Sequence, residues 1–186
     1  VPPESGDVLL DGRPASEYRL AYESAVGVLH PGTAVFTGSI YDNISFFGEK
    51  ASSEEVCWAT EITGVNREVD RLPEGYDTML GSGIAETLPL GFIRRILLAR
   101  VLAQKPVIVF LDEGQLQLDT TAMQLMIAAI ESLRGWITIV LTTNNQEMVR
   151  LADRAFLLNN GNLKEIDAQN TDVYETALAS TEVMSA

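Results

Sequence analysis

The chain has 186 residues, 46% of them hydrophobic and 21% charged. That is enough to bury a core of its own and too apolar for a disordered or collagen-like chain. Against 13 basic residues stand 26 acidic ones, a net charge of −13. This is the wrong sign for a protein that tracks a nucleic-acid backbone or a polybasic membrane binder, and the acidity reads as solubility. One cysteine, Cys57, and one histidine, His30, exclude an intrachain disulfide, a cysteine-clustered zinc or iron–sulfur centre and a two-histidine metal site. Cys57, between Val56 and Trp58, is expected to be a packed thiol. His30, beside Pro31-Gly32, is expected in a turn. The apolar runs Val107–Leu111 and Ile137–Leu141 fall far short of the roughly 20 residues a membrane-spanning helix needs. No signal-peptide pattern is visible, and the start at Val1 reads as that of a fragment.

In chain order, Asp7–Leu10 reads as a strand turned by Asp11-Gly12. Pro14–Leu20 is expected as a short helix and Ala25–Leu29 as an apolar strand ending in the turn His30–Thr33. Thr37-Gly38-Ser39 caps a short helix through Ile40 and Ile44. Ser52 and Ser53 before Glu54-Glu55 open a second helix, whose face is Val56, Ala59, Thr60 and Thr63. A third runs from Val65 to Leu72, stopped by Pro73. Gly91–Ala103 carries a 3.6-residue period through Phe92, Ile96, Ala99 and Leu102. Val107–Leu111 has the uniform apolar character of a strand buried on both faces, and Trp136–Leu141 reads as another. Between them lies the helix Thr121–Leu133. Glu147–Ala152 is a short helix, and Ala155–Leu158, Asn159-Asn160-Gly161 and Asn162–Ile166 form a hairpin. Strand, helix, strand, helix, strand specify a parallel α/β sheet with right-handed crossovers.

The sharpest chemical feature is the apolar strand that runs into Asp112-Glu113. It places two carboxylates at the carboxyl edge of a parallel sheet, where open α/β folds take ligands. In a nucleotide triphosphatase, such a pair assists Mg²⁺ and polarises the attacking water. Around it, from Gly6 to about Ile166, the chain resembles the nucleotide-binding domain of ABC transporters, of the bacterial exporter type that fuses membrane and ATPase segments. The resemblance rests on Gly6–Gly12, Val35–Ile44, Leu72–Thr78, Leu97-Leu98-Ala99-Arg100, Leu111-Asp112-Glu113, Leu118-Asp119 and Leu151-Ala152-Asp153-Arg154, in the family's order and spacing. It implies a parallel-sheet ATPase core with a helical subdomain insert, and the N-terminal β-subdomain and P-loop missing. The domains would be a core of residues 1–40 and 91–170, a helical subdomain of 41–90, and a tail of 171–186. Glu113 would polarise water, Asp112 would assist Mg²⁺, and Asp119 would end the D-loop.

At other positions the chain departs from the family. None of Lys50, Lys105 and Lys164 follows a glycine, so the chain has no Gly-Lys-Ser/Thr phosphate loop. The signature Leu-Ser-Gly-Gly-Gln aligns with Leu88-Pro89-Leu90-Gly91-Phe92, which lacks the serine hydroxyl and the first glycine. Pro31 stands at the Q-loop glutamine and Asn144 at the switch histidine, and an amide cannot shuttle a proton. These losses imply a catalytically degenerate chain that holds no cofactor alone, although the intact parent would use ATP and Mg²⁺. The implied partners are a second nucleotide-binding domain, head to tail, and the exporter's transmembrane domain, with no nucleic acid. The implied place is the cytoplasmic face of the bacterial inner membrane, and the implied task is export, perhaps of a peptide or toxin. The alternative is a non-enzymatic module that docks on a membrane partner through Phe36, Tyr41, Phe46 and Phe47.

Overall fold

The computed structural model describes residues 3–14, 17, 25–81, 88–112 and 118–169. The chain divides into two compact units, residues 1–141 and 142–186. In the first, β1 (Leu9–Leu10) and β2 (Arg13–Pro14) form a small antiparallel hairpin. Its turn is Asp11-Gly12, both at positive φ. Pro14 thus belongs to a strand and not to a helix start, and most of the helix expected up to Leu20 lies outside the described residues.

The sheet is built from β3 (Val26–Leu29), β6 (Ile108–Asp112) and β7 (Thr138–Thr142), with β6 in the middle. β3 and β6 are parallel, and Leu29 is in register with Leu111. Short β4 (Gly38–Ser39) and β5 (Met79–Leu80) pair antiparallel elsewhere. The helices of the unit are α1 (Ile40–Ser45), α2 (Ser53–Thr63), α3 (Val65–Val69), α4 (Leu90–Ala103) and α5 (Thr120–Leu133). Their starts follow from local chemistry. Ser39 with Asp42 and Ser52 with Glu55 each form a reciprocal capping box that satisfies two otherwise orphaned N–H groups. The α2 face of Val56, Ala59, Thr60 and Thr63 is buried as its spacing dictates. α3 stops at Val69, three residues before the expected end, because the chain turns through Asp70–Leu72 ahead of Pro73.

α4 is the core. It packs against α1, α2, α3, α5 and β3. From Arg95 to Ala103 every residue is buried, so the helix is enclosed all round and not along one stripe. Gly27 lets it approach the sheet. A Cβ at that position would fall 2.3 Å from the Val101 Cγ1.

The sheet itself is covered on one face. Leu29, Val109 and Leu111 are buried beneath the helices, whereas Val28, Phe110 and Val140 are 51%, 40% and 43% exposed. The expectation that β6 and β7 are buried on both faces is corrected: five consecutive apolar residues alternate between a helix-covered face and an open one. Trp136 precedes β7 and is exposed. Cys57 is also exposed, on the outer face of α2, and is not the packed thiol expected.

In the second unit, α6 (Gln146–Leu151) is capped by Asn145, whose Oδ1 accepts from the Glu147 and Met148 amides. β8 (Ala155–Asn159) and β9 (Asn162–Ile166) form the expected hairpin around Asn160-Gly161. Among the described residues, no helix is long and apolar enough to cross a membrane.

Candidate functional site

The carboxyl edge of the sheet brings one expected site residue, Asp112, beside the 30–33 turn that carries another, Pro31. Asp112 closes β6 and His30 follows β3. Because Leu29 pairs with Leu111, these two residues leave the ends of neighbouring parallel strands. With Leu29, Arg94, Leu111 and Met126 they line one largely apolar cavity. Glu113, the expected water-polarising residue, lies outside the described residues.

The 30–33 turn closes on itself. The Thr33 amide donates to the His30 carbonyl at 2.9 Å, and the His30 amide donates to Thr33 Oγ1 at 3.1 Å. The Gly32 amide donates to His30 Nδ1 at 3.1 Å. Nδ1 is therefore the acceptor, and the neutral ring carries its proton on Nε2. Arg94, in the second turn of α4, holds the outside of the turn. Its Nη2 donates to the Pro31 carbonyl at 3.0 Å, and its Nη1 reaches the Thr33 and His30 carbonyls at 3.4 and 3.5 Å. Partial burial lowers the guanidinium's pKa from its ordinary value. The residue at the expected Q-loop position thus takes part through its backbone carbonyl.

A second group forms where the N-termini of α4 and α5 meet. Pro89 precedes α4, and its carbonyl accepts from the Phe92 and Ile93 amides at 2.9 and 3.1 Å. Leu90 begins the helix with its side chain half exposed. Gly91 is buried, and a Cβ there would fall 2.2 Å from the Ala122 Cβ and 3.7 Å from Leu118 Cδ2. Asp119 caps α5, with Oδ1 accepting from the Ala122 amide at 2.8 Å. The segments 88–91 and 118–119 are therefore neighbours because Gly91 has no side chain. Asn144 is exposed in the loop before α6, in the second unit.

These residues fit a nucleotide only in part. Asp112 is a suitable single carboxylate for Mg²⁺, which binds few protein ligands when phosphates supply the rest. Among the described residues, no group of three His, Cys, Asp or Glu gathers to hold a metal by itself. The N-terminus of α4 offers phosphate little: Pro89 has no N–H, and Leu90 projects an apolar side chain beside it. The described residues do not complete a nucleotide site.

An aromatic cluster from the segments flanking β4 and α1 packs over Arg100 of α4. Phe36 stacks on Phe47 at 5.2 Å and tilts against Phe46 at 5.9 Å, while Phe47 is 60% exposed. Beneath them the Arg100 guanidinium lies 4.4 Å from the Phe36 centroid, a cation–π contact. It donates from Nε to the Asn43 carbonyl at 2.6 Å, from Nη1 to the Ala34 carbonyl at 3.0 Å, and from Nη2 to Asn43 Oδ1. Burial pushes the Arg100 pKa down to about 10. The fully buried Asn43 also bonds both backbone groups of Phe36.

Sequence reasoning missed Arg94, Arg100 and Asn43 as organisers. A signal was present. Three arginines, Arg94, Arg95 and Arg100, lie within an otherwise apolar helix, and a buried arginine must find partners. Arg95 does so at the Thr63 carbonyl, 3.2 Å away, and with Glu68.

No protein-family model matches the chain. Over 88% of its length the chain is similar to ABC transporters. It is 32% identical to the mitochondrial iron–sulfur clusters transporter ATM1 of Saccharomyces cerevisiae and 36% identical to the type I secretion system ATP-binding protein PrsD of Rhizobium meliloti. It is also 32% identical to ABC transporter B family member 21 of Arabidopsis thaliana. The chain spans only 24%, 28% and 13% of those proteins, respectively. Its fold matches that of a bacterial Atm1-family ABC exporter with ATP bound, with a TM-score of 0.81 and 25% identity, over 99% of this chain and 33% of the exporter.

Proposed function

We propose that this chain, a relative of ABC transporters over most of its length, works as a stretch of an exporter's nucleotide-binding domain. In this reading the intact polypeptide binds ATP and Mg²⁺ on the cytoplasmic face of a bacterial inner membrane. A second such domain pairs with it head to tail, and a transmembrane domain turns their closure into export, with a peptide or protein toxin as candidate cargo. The observation that carries the reading is the fold match to an ATP-bound exporter across 99% of the chain. The core would be residues 1–40 and 91–170, the helical subdomain 41–90, and the tail 171–186.

Within that frame Asp112 assists Mg²⁺ and Glu113 polarises water. Pro31, Pro89, Leu90, Gly91, Asp119 and Asn144 occupy the remaining nucleotide-facing positions. Proline at 31 and 89, leucine at 90 and asparagine at 144 supply neither a side-chain proton shuttle nor a serine hydroxyl, which supports slow or absent turnover. A second reading, a docking module without chemistry, draws support from the cluster of Phe36, Phe46 and half-exposed Phe47 on Arg100.

The test is labelling of the natural polypeptide by a photoreactive ATP analogue with Mg²⁺. Labelling that excess ATP competes away, and that Asp112→Asn weakens, is expected. Absence of labelling, with the transmembrane partner still captured, would decide for the docking module.

A further inference from the structure

Position 31 carries no side-chain donor or acceptor, yet the turn it belongs to is held at three carbonyls by one side chain. Arg94 donates to the carbonyls of Pro31, Thr33 and His30 from more than sixty residues away in sequence. The far end of the same segment is tied by Arg100 to the Ala34 and Asn43 carbonyls. Both arginines stand on α4, the most enclosed helix of the unit. The planar guanidinium suits this task, because its fixed fork of donors spans several acceptors at once, where an ammonium is a single point charge.

We infer that Arg94 is the positioning residue of the 30–33 turn, fixing its backbone against the carboxyl end of β6 without help from a ligand. The inference deepens the nucleotide-binding reading, since it names what holds the edge of that candidate site in place. It also gives the proline at position 31 a physical setting. Proline keeps the carbonyl that Arg94 uses and restricts the backbone that carries it. Arg94 touches no reacting group; its role is exerted through the turn.

The chain has a single histidine, and it lies in this turn. Its ring therefore reports the turn with one set of nitrogen signals. The Gly32 amide on Nδ1 holds the neutral ring as the Nε2–H tautomer.

The experiment is ¹⁵N NMR of the His30 ring, with hydrogen exchange at the Thr33 amide, in the unaltered chain and in Arg94→Met and Arg94→Lys. The unaltered chain should show a single Nε2–H tautomer and a protected Thr33 amide. In Arg94→Met the two ring nitrogens should average toward each other, and Thr33 exchange should rise by roughly tenfold or more while the α2 amides hold their protection. Arg94→Lys should fall between. Arg94→Met with ring signals and Thr33 exchange unchanged would overturn the inference. So would a rise shared equally by α2 and α4, since that marks only a loss of general stability. If Arg94→Met does not fold, Arg94→Lys decides: a rise confined to the turn supports the role and its absence refutes it. No nucleotide enters this measurement, so its outcome is separate from that of the ATP-labelling test.

Discussion

Arg100 shows what a buried charge does for this fold. Its guanidinium is almost enclosed and is met by two backbone carbonyls, the Asn43 side chain and the faces of Phe36 and Phe46. A pKa near 10 leaves it charged at neutral pH. Removing it would strand the acceptors that it satisfies, and an unpaired buried acceptor costs about 1–3 kcal/mol. Arg100→Met keeps much of the stem volume and loses every donor. It is expected to lower stability in urea titration by at least the cost of one such acceptor, about 1–3 kcal/mol. A loss below about 1 kcal/mol would show that the carbonyls find other partners. That such an arginine needs partners was legible in the sequence, but which partners it takes was not. The helix pattern located Arg100, but its partners lie 57 and 66 residues away, and no local periodicity encodes them. The place of Asp112 at the end of β6 was legible because a strand that runs into an acid is a local signal. Asp119 was assigned to a nucleotide, and what the structure adds is its cap on α5.

Among the elements, α2 joins a local signal to a distant one. Ser52 and Glu55 announce its start in the sequence, and both halves of the capping box form, with the Ser52 amide donating to Glu55 Oε2 at 2.7 Å. What the sequence concealed is Lys105, just past α4, whose Nζ lies 2.8 Å from Glu55 Oε1. The lysine first, and Ser52 second, hold the Glu55 carboxyl at about 2, against an ordinary 4.5. The folded state thus binds this proton less tightly than the unfolded state does. The stabilisation from Glu55 is fully present above pH 4.5 and is lost as pH falls toward about 2. Acid titrations of the unaltered chain and of Glu55→Gln should therefore converge across this window, after a gap at higher pH. A gap that stays constant down to pH 2 would mean that the carboxyl is not tied. The open sheet face was concealed for a different reason. Val107–Leu111 is apolar throughout, and a run of that kind cannot say which of its faces other elements cover.

At the scale of the whole molecule, the open sheet face and the net charge pull in opposite directions. Val28, Phe110 and Val140 present an apolar surface, while a charge of −13 favours separation. Charge repulsion is screened beyond about 8 Å at physiological salt, whereas apolar attraction is not. Light scattering is expected to show self-association that grows with salt and shrinks in Phe110→Lys. A monomer at all salt concentrations would show that the patch is too small to drive contact. The order of the helices from α1 onward and of β3, β6, β7, β8 and β9 was readable along the chain, because caps, turns and periods are local, whereas the short pair β4 and β5 was not. The meeting of Pro89–Gly91 with Leu118–Asp119 was not, because it depends on a single absent Cβ against Ala122.

We propose an exporter nucleotide-binding domain that keeps Asp112 and Glu113 but has lost the Q-loop, signature and switch residues at positions 31, 89, 90 and 144. The most direct measurement is ATP hydrolysis by the natural polypeptide, unaltered and with Pro31→Gln, Pro89→Ser, Leu90→Gly and Asn144→His combined. Groups that act as a unit in the transition state are strongly non-additive, so single reversions should recover little and the combined one far more. The expected result is turnover well below the ordinary enzyme range, on the order of 1–10³ s⁻¹, that rises sharply only in the combined variant. Turnover of the unaltered polypeptide already within that range would contradict it.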